Sequence, residues 1–309
     1  MALLNAEKIF KDALKKSYAV GAFNFVNLET LKSIIETAQK LHSPVIIQSS
    51  MSAIKYAGID NIKALVYAMA KNTDINICWN LDHAKSFEEC KTAIDYGFTN
   101  VMIDASDKPF EENVSLTKKV VEYAHKKGVT VEAELGVLKG IEDDVNVSES
   151  QTYFTNPLKA KEFVERTGID SLAISIGTSH GAYKFKGEAK LRFDILNEIE
   201  KLLPSFPLVL HGASSIPSDV VKQANKYGAK LEGVSGVTEE LLKKACKTNI
   251  CKINVDSDLR LCFIAGLRKS LVEEPENIDI RKPLTKAMLE INKTIEYKIV
   301  NVFNSYMKN

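Results

Sequence analysis

The chain has 309 residues, of which 45% are hydrophobic and 26% are charged, and its formal net charge is +1. This balance excludes the acidic or basic tails that bind nucleic acid or membrane surfaces. No apolar run approaches the ~18 residues of a transmembrane helix, and the first residues lack the pattern of a signal peptide. The five cysteines include no C-x-x-C pair, which favours free thiols and a cytoplasmic protein.

Short apolar runs rich in β-forming residues alternate with amphipathic stretches of helical spacing along the whole chain. An amphipathic helix is predicted at the N-terminus, and Gly97, Gly128 and Gly168 each end a helix just before the next run. The eight predicted strands cover residues 19–26, 44–48, 75–81, 99–104, 130–135, 171–176, 207–210 and 250–255. This pattern predicts an α/β fold in which residues 1–309 form a single TIM (β/α)8 barrel domain. A doubly wound open sheet is the alternative, and it is disfavoured because no G-x-G-x-x-G follows a strand.

Two segments exceed the minimal barrel. Residues 137–157 are polar and rich in Gly, Asp, Glu and Ser, and we expect a mobile active-site loop there. A disordered surface insertion is the alternative for this segment. Residues 258–309 are expected to form a C-terminal helical extension that serves oligomer contacts, with breaks at Glu274-Pro275 and Lys282-Pro283.

Three of the five histidines stand at the ends of predicted strands, where the active sites of such barrels lie. They are His83, His180 and His211. Three imidazoles that leave a coordination position open suit a catalytic Zn²⁺ ion. The alternative is that the three histidines are hydrogen-bonded around a polar pocket without an ion.

Acidic residues stand beside these histidines. Asp82 precedes His83 and is the natural general base, and strand 3 is predicted to end at this pair. Asp104 and Glu134 end the fourth and fifth strands, and we expect them to orient the imidazoles through their second nitrogens.

Glycines next to the histidines indicate an anion site. Gly181, Gly212 and Ser214 leave backbone N–H groups accessible, and Lys184 can add a positive charge. Barrels of this type often bind phosphate after strands seven and eight. An ordinary tight turn is the alternative.

Taken together, these residues resemble the class II, zinc-dependent fructose-bisphosphate aldolases over essentially the whole chain. The matching motifs are G-A-F-N-F at 21–25, L-D-H at 81–83, E-A-E-L-G at 132–136, G-T-S-H-G-A-Y-K at 177–184, H-G-A-S at 211–214, N-V-D-S at 254–257 and D-I-R-K-P at 279–283. The resemblance implies reversible aldol cleavage of a sugar bisphosphate in glycolysis and gluconeogenesis. It also implies a Zn²⁺ ion, a monovalent cation (Na⁺ or K⁺) near Gly181 and Gly212, and a homodimer.

The resemblance also assigns roles to single positions. Asp82 matches the catalytic acid/base, and Glu142 matches a loop glutamate that protonates the enediolate. His83, His180 and His211 match the zinc ligands, with Asp104 and Glu134 as acidic residues close to the metal. The positions expected to contact substrate are Asn24, Ser50, Gly181, Lys184, Gly212, Ser214, Asn254, Asp256, Ser257, Arg260, Asp279 and Arg281.

One position departs from the family pattern. Relatives usually carry histidine two residues before the catalytic aspartate, and here the residue is Asn80. Asn80 faces the same side of the strand as Asp82, so we expect it to tune that carboxylate rather than abolish activity.

Other readings of the resemblance stay open. A tagatose-bisphosphate aldolase or a related dihydroxyacetone-phosphate aldolase is the first alternative, and a non-catalytic partner subunit is the second. We expect fructose 1,6-bisphosphate as substrate because Asp256, Arg260 and Asp279 are all present, with Asp279 pairing with Arg260.

Overall fold

Eight parallel strands close into a barrel. The computed structural model describes residues 3–137, 139–142, 145–147, 153–180 and 190–309, with backbone only at 139–142, 145–147 and 180. The barrel strands are β1 (Val20–Asn24), β2 (Val45–Ser50), β3 (Ile77–Ala84), β4 (Asn100–Ile103), β5 (Thr130–Leu135), β8 (Ser171–Ile174), β10 (Leu208–Leu210) and β11 (Ile250–Val255). They follow the chain around the barrel and close by pairing of β1 with β11. The predicted (β/α)8 barrel is confirmed, and the open sheet is excluded because this sheet has no edge.

Helices surround the barrel. They are α1 (Ala6–Lys16), α2 (Leu28–Lys40), α3 (Met51–Ala57), α4 (Ile59–Lys71), α5 (Phe87–Tyr96), α6 (Phe110–His125), α7 (Pro157–Thr167), α8 (Phe193–Leu202), α9 (Ser218–Lys226), α10 (Glu239–Ala245), α11 (Ser257–Glu273) and α12 (Arg281–Tyr297). Gly97 and Gly168 end α5 and α7 in the left-handed conformation, and Gly128 follows α6 with φ +71°, as predicted. Among the described residues, no helix is long and apolar enough to cross a bilayer.

The main core lies between the barrel wall and the helices. Apolar side chains alternate along each strand, so that Trp79 and Leu81 of β3 point outward against the helical layer. Leu31 and Ile34 of α2 belong to the same buried cluster. Each such side chain contributes about 2 kcal/mol through burial.

Helix α1 closes the amino-terminal end of the barrel. Its side chains Ile9 and Phe10 are buried against Val20, Ile46 and Cys78, which stand near the starts of their strands. Apolar side chains of α1 therefore cover this closed end of the barrel. The polar side chains predicted to be functional lie toward the carboxyl ends of the strands, which form the mouth.

The segment predicted as a loop contains secondary structure. Strands β6 (Lys139–Glu142) and β7 (Val145–Val147) are antiparallel, and β6 also pairs in parallel with β9 (Ser179–His180). This three-stranded sheet connects the segment after β5 to the segment after β8.

The C-terminal segment forms two long helices. α11 ends at Glu273, next to the predicted break at Glu274-Pro275, and α12 packs against α11 and α2. The predicted break at Lys282-Pro283 is wrong, because Pro283 is the third residue of α12. The first turn of a helix tolerates proline, since its N–H groups have no partner within the helix. A π-helical turn (Lys298–Val302) follows α12.

Candidate active site and metal centre at the barrel mouth

A bulge in β3 turns Asp82 and His83 toward the mouth. The strand continues to Ala84, so the prediction that it ends at Asp82–His83 is wrong by one residue. The register against β4 shifts between Leu81 and Ala84, and His83 has φ +51°, a conformation unfavourable for residues other than glycine. In a regular strand, Asp82 and His83 would face opposite sides. The strained bulge lets both side chains reach one site.

The carboxylate of Asp104 orients the His83 imidazole, as the sequence analysis predicted. Nδ1 of His83 lies 2.9 Å from Oδ2 of Asp104, which also accepts a hydrogen bond from Lys85 Nζ at 2.7 Å. Burial alone would raise the pKa of Asp104, but His83 and Lys85 outweigh it and hold that pKa well below its usual range. Because this carboxylate only accepts, Nδ1 of His83 carries a proton.

His211 is oriented by a residue that the sequence interpretation did not assign. Its Nε2 lies 2.6 Å from Oε1 of Glu132, whose Oε2 accepts from Lys252 Nζ at 2.7 Å. All three side chains are buried inside the barrel. Burial raises the pKa of Glu132, but Lys252 and His211 outweigh it and lower that pKa to about 2. The period-two spacing of Glu132 and Glu134 on β5 could have identified Glu132 as a second inward carboxylate.

The two histidines face each other. Nδ1 of His211 lies 2.9 Å from Nε2 of His83. The carboxylates hold protons on the other two ring nitrogens, so the facing nitrogens both present lone pairs when the imidazoles are neutral. Burial lowers the pKa of His83, but Asp82, Asp104 and Glu134 outweigh it and raise that pKa to about 10, while burial lowers the pKa of His211 to about 4.

Glu134 adds a further oxygen beside His83. Its Oε2 lies 4.0 Å from Nδ1 of His83 and has no hydrogen-bond partner among the described residues. Burial, followed by the charge of Asp104, raises the pKa of Glu134 to about 8. A buried oxygen without a donor fits a site that a positive ion completes.

Two overlapping groups of side chains have the spacing of metal ligands among the described residues. One contains Asp82, His83 and His211, and the other contains His83, Asp104 and Glu134. Imidazole nitrogens with carboxylate oxygens are the donor set that zinc prefers. The residues present therefore fit this metal.

Asp82 is held by two amides. Asn24 Nδ2 donates to its Oδ2 at 2.9 Å, and Asn254 Nδ2 lies 3.3 Å from its Oδ1. The same Asn254 nitrogen lies 2.9 Å from Nδ1 of His211. Asn24 and Asn254 were predicted to contact substrate, and both line a cavity with Asp82 and the two histidines.

Asn80 points into the barrel interior, on the same side of β3 as Asp82, but does not bond to it directly. Its Nδ2 donates to Gln48 Oε1 at 2.8 Å, and Gln48 Nε2 donates to Asn24 Oδ1 at 2.8 Å. Two amides therefore separate Asn80 from the carboxylate. Gln48 was not singled out from the sequence, although its register partners on both neighbouring strands, Asn24 and Asn80, were.

The third predicted ligand and the loop glutamate belong to neighbouring strands. Gly140 is the register partner of His180, and Glu142 is the last residue of the same strand as Gly140. The side chains of His180 and Glu142, and all of Gly181 and Lys184, lie outside the described residues.

Gly212 anchors the loop after β10 against the same segment. It has φ +57°, and a Cβ at this position would lie 2.5 Å from the backbone of Ser179. Only glycine permits both the conformation and the contact. The loop carrying His211 is thereby fixed beside the strand that ends at His180.

The remaining predicted substrate contacts, apart from Arg260, lie in three places. Ser214, Asp256 and Ser257 are buried near the cavity. Ser50 is the N-cap of α3, where its hydroxyl accepts from Ala53 N at 3.2 Å. Asp279 and Arg281 lie just before and at the start of α12.

The predicted pairing of Arg260 with Asp279 is wrong. Arg260 instead pairs with Asp256 through two contacts of 2.8 Å, and Asp279 pairs with Arg281 at 2.8 Å. Asp256 lies four residues before Arg260, one turn of α11, whereas Arg281 follows Asp279 by two residues. Each aspartate thus finds an arginine close in sequence.

Comparison with known proteins places the chain in a family. The family model described as fructose-bisphosphate aldolase class-II matches residues 4–308. A fructose-bisphosphate aldolase of Helicobacter pylori is 47% identical over 298 residues, covering 96% of this chain and 97% of that protein. One of Giardia intestinalis is 48% identical over 284 residues, with coverages of 91% and 87%. The crystal structure of the YdjI aldolase of Escherichia coli K12 superposes with a TM-score of 0.81 at 29% identity, covering 98% of each chain.

Proposed function

This chain belongs to the class II fructose-bisphosphate aldolase family, and we propose that it catalyses reversible, zinc-dependent cleavage of fructose 1,6-bisphosphate. The products of that reaction are dihydroxyacetone phosphate and glyceraldehyde 3-phosphate. Membership of the family makes the protein a lyase of the aldolase type. The metal, the sugar and the residue roles below are the proposal.

The observation that carries the proposal is the pair of facing imidazole nitrogens beside Asp82. Nδ1 of His211 and Nε2 of His83 lie 2.9 Å apart, with protons held away from both by Glu132 and Asp104. His180 is the proposed third ligand, supported by the close approach of Ser179, its neighbour in the chain, to Gly212 in the loop that follows His211. When bound, a zinc ion supplies Lewis acidity to the substrate carbonyl.

Asp82 is the proposed base of the cleavage step. Its carboxylate takes the proton of the C4 hydroxyl, the C4–O bond becomes a carbonyl, and the electron pair of the C3–C4 bond passes to C3. The aldehyde half then leaves. Donors from Asn24 and Asn254 fix the orientation of the carboxylate, which supports this role, because a general base acts only from a defined position.

Glu142 is the proposed acid that returns a proton to C3 of the dihydroxyacetone half. It ends β6, whose pairing with β9 connects this strand to His180. We propose that residues 137–157 move when substrate binds and bring Glu142 to the carbon.

The phosphate of the dihydroxyacetone half is proposed to bind beside the loop after β10. Gly212, Ser214, Asn254 and Ser257 supply donors there, together with Gly181 and Lys184, and a Na⁺ or K⁺ ion is proposed near Gly181 and Gly212. The far phosphate is proposed to meet Arg260, with Asp279 and Arg281 donated partly by the other subunit of a homodimer. Ser50 is proposed to contact the substrate from the end of β2.

Preference for fructose over tagatose 1,6-bisphosphate is proposed to depend on Asp256 and Arg260. The two sugars differ in configuration at C4, where the bond breaks. Arg260 is held by Asp256 in a bidentate pair at the mouth, which supports a fixed geometry for the far half of the sugar. Cleavage of tagatose 1,6-bisphosphate is the alternative function.

A two-sugar assay tests the substrate. We expect kcat/KM for the fructose bisphosphate to exceed that for the tagatose bisphosphate by on the order of 100-fold, since an unpaired hydroxyl in a polar site is costly. Arg260→Ala should narrow this ratio. Equal efficiency on both sugars would remove the fructose assignment, and unchanged discrimination in Arg260→Ala would remove the proposed role of Arg260.

A further inference from the structure

A row of polar side chains crosses five neighbouring strands on the inner wall of the barrel. Its members are register partners on adjacent strands, in the order Thr130, Asn100, Asn80, Gln48 and Asn24. Thr130 begins β5 and Asn24 ends β1. Because barrel strands tilt, the row climbs from the end closed by α1 to the mouth. We call Asn100, Asn80, Gln48 and Asn24 the amide row.

Each amide in the row donates to the next one. Asn100 Nδ2 donates to Asn80 at 2.6 Å, and Asn80 Nδ2 donates to Gln48 at 2.8 Å. Gln48 Nε2 donates to Asn24 at 2.8 Å, and Asn24 Nδ2 donates to Asp82 at 2.9 Å. All members are buried. Hydrogen bonds in such a chain polarise one another, so each strengthens the next.

The direction of this chain is determined from both ends. At the closed end, the backbone N–H of Ala6 can only donate, and it meets the Thr130 hydroxyl oxygen at 3.0 Å. That hydroxyl lies 2.6 Å from Asn100 Oδ1 and 3.4 Å from the carbonyl oxygen of Thr99, so its main donation is to Asn100. At the mouth, the carboxylate of Asp82 can only accept. Reversing any amide between these ends would place two oxygens or two NH₂ groups face to face.

We propose that the amide row is a positioning device for Asp82, in which Asn80 and Asn100 act on a carboxylate that they do not touch. They decide which atom Asn24 presents to Asp82. With the link at Asn80 broken, Gln48 loses a fixed partner, and the Asn24 donor that depends on Gln48 is no longer held in place against the carboxylate. The Asn254 contact with Asp82, at 3.3 Å, is longer and weaker than the Asn24 contact at 2.9 Å, so the orientation of the carboxylate depends mainly on Asn24.

Asn80→Leu is the first test, because leucine has the same number and branching of heavy atoms and breaks both links of Asn80. The inference rests on the proposed role of Asp82 in cleavage. Dihydroxyacetone phosphate has no C4 hydroxyl, so hydrogen exchange at its C3 does not need Asp82. We expect kcat for cleavage to fall on the order of 10-fold or more, as for a displaced catalytic group. C3 exchange, KM and bound zinc should stay close to the wild type.

Asn80→His is the matched rescue variant. An imidazole offers one acceptor and one donor nitrogen, so it can accept from Asn100 and donate toward Gln48 in the same direction. We expect its cleavage rate to lie close to the wild type. Thr167→Val controls for lost stability, because it removes a buried hydrogen bond to Phe163 in α7, outside the barrel interior. In Thr167→Val we expect the rates of cleavage and of C3 hydrogen exchange to change by the same factor.

A double variant separates positioning from general damage. In an Asp82→Ala background, Asn80→Leu should have no further effect on cleavage, because its target is gone. If Asn80→Leu does not fold, Asn100→Leu gives the same test one link farther from Asp82. The inference is overturned if cleavage is unchanged, if cleavage and exchange fall equally, or if the two substitutions are additive. A wild-type protein that cleaves no sugar bisphosphate would instead refute the proposed function.

Discussion

Nε2 of His83 lies 2.9 Å from Nδ1 of His211, and each imidazole is bonded through its other nitrogen to a buried carboxylate. The carboxylates Asp104 and Glu132 therefore decide which nitrogens remain available to an ion. Lys85 and Lys252 neutralise these carboxylates in turn. The proposed metal centre is thus built from two Lys–carboxylate–His chains that meet at one point.

Asp82→Ala should retain the metal and lose most cleavage. The expected loss is ~10²- to 10⁴-fold in kcat, the usual contribution of a general acid or base. Cleavage assays with zinc quantified on the same preparation measure both properties. Stoichiometric loss of zinc would make Asp82 a metal ligand instead of the base.

Glu142→Ala should slow protonation at C3 more than it slows bond cleavage. The reason is that the proposed role of Glu142 begins after the aldehyde has left. Exchange of the C3 hydrogen of dihydroxyacetone phosphate with solvent is followed separately from cleavage. Equal effects on the two rates would reduce Glu142 to a general part of the loop.

Lys252→Met should strongly destabilise the metal-free protein. Glu132 and Lys252 form a fully buried ion pair at 2.7 Å, and removing one partner leaves an uncompensated charge at a cost of ~3–5 kcal/mol. Adding Glu132→Gln to this variant should recover part of the loss. Urea unfolding gives the free energies, with Lys11→Met at the exposed pair with Glu7 as the control. A loss no larger than that of the control would contradict the expectation.

Alkaline pH should destabilise the fold through the cysteines. Burial raises the pKa of the Cys78, Cys246 and Cys262 thiols to about 12, and it also raises the pKa values of Cys90 and Cys251. In the unfolded chain these thiols ionise near pH 9. The free energy of unfolding therefore keeps its full value below pH 9 and falls as the pH rises toward 12, because only the unfolded thiols ionise in this range. The loss is about 1.4 kcal/mol per thiol per pH unit.

Urea unfolding across this pH range measures the slope. Cys246→Ala should reduce the slope of the unfolding free energy against pH by the contribution of one thiol. In the native state at pH below 9, the thiols should not react with a thiol reagent faster than the protein unfolds. Rapid reaction of the native protein would show that the thiols are accessible.

Local patterns predicted the strands well but could not predict the contacts between them. Apolar alternation identified all eight barrel strands, and the glycines after α5, α6 and α7 marked their ends. The bulge at Asp82–His83 depends on the register against β4, which no local pattern encodes. The Glu132–Lys252 pair joins residues 120 positions apart, so only the closed barrel reveals it.

The site was predicted most accurately where a residue type had only one plausible role at its position. Two of the histidines expected at strand ends do converge at the mouth, and Asp104 bonds His83 as expected. Arg260 was given the wrong partner because several carboxylates suit an arginine equally well. Asn80 was placed on the correct face, but its connection to Asp82 runs through Gln48 and Asn24, on two other strands.

The most direct test of the metal mechanism is fructose 1,6-bisphosphate cleavage by one preparation before chelation, after exhaustive chelation and after addition of zinc. The two facing imidazoles predict that chelation abolishes cleavage and that zinc or cobalt restores it. His211→Ala, which removes one of the facing nitrogens, should not be restored by the same addition. Full activity after exhaustive chelation, or trapping of substrate on a lysine by borohydride, would contradict the mechanism.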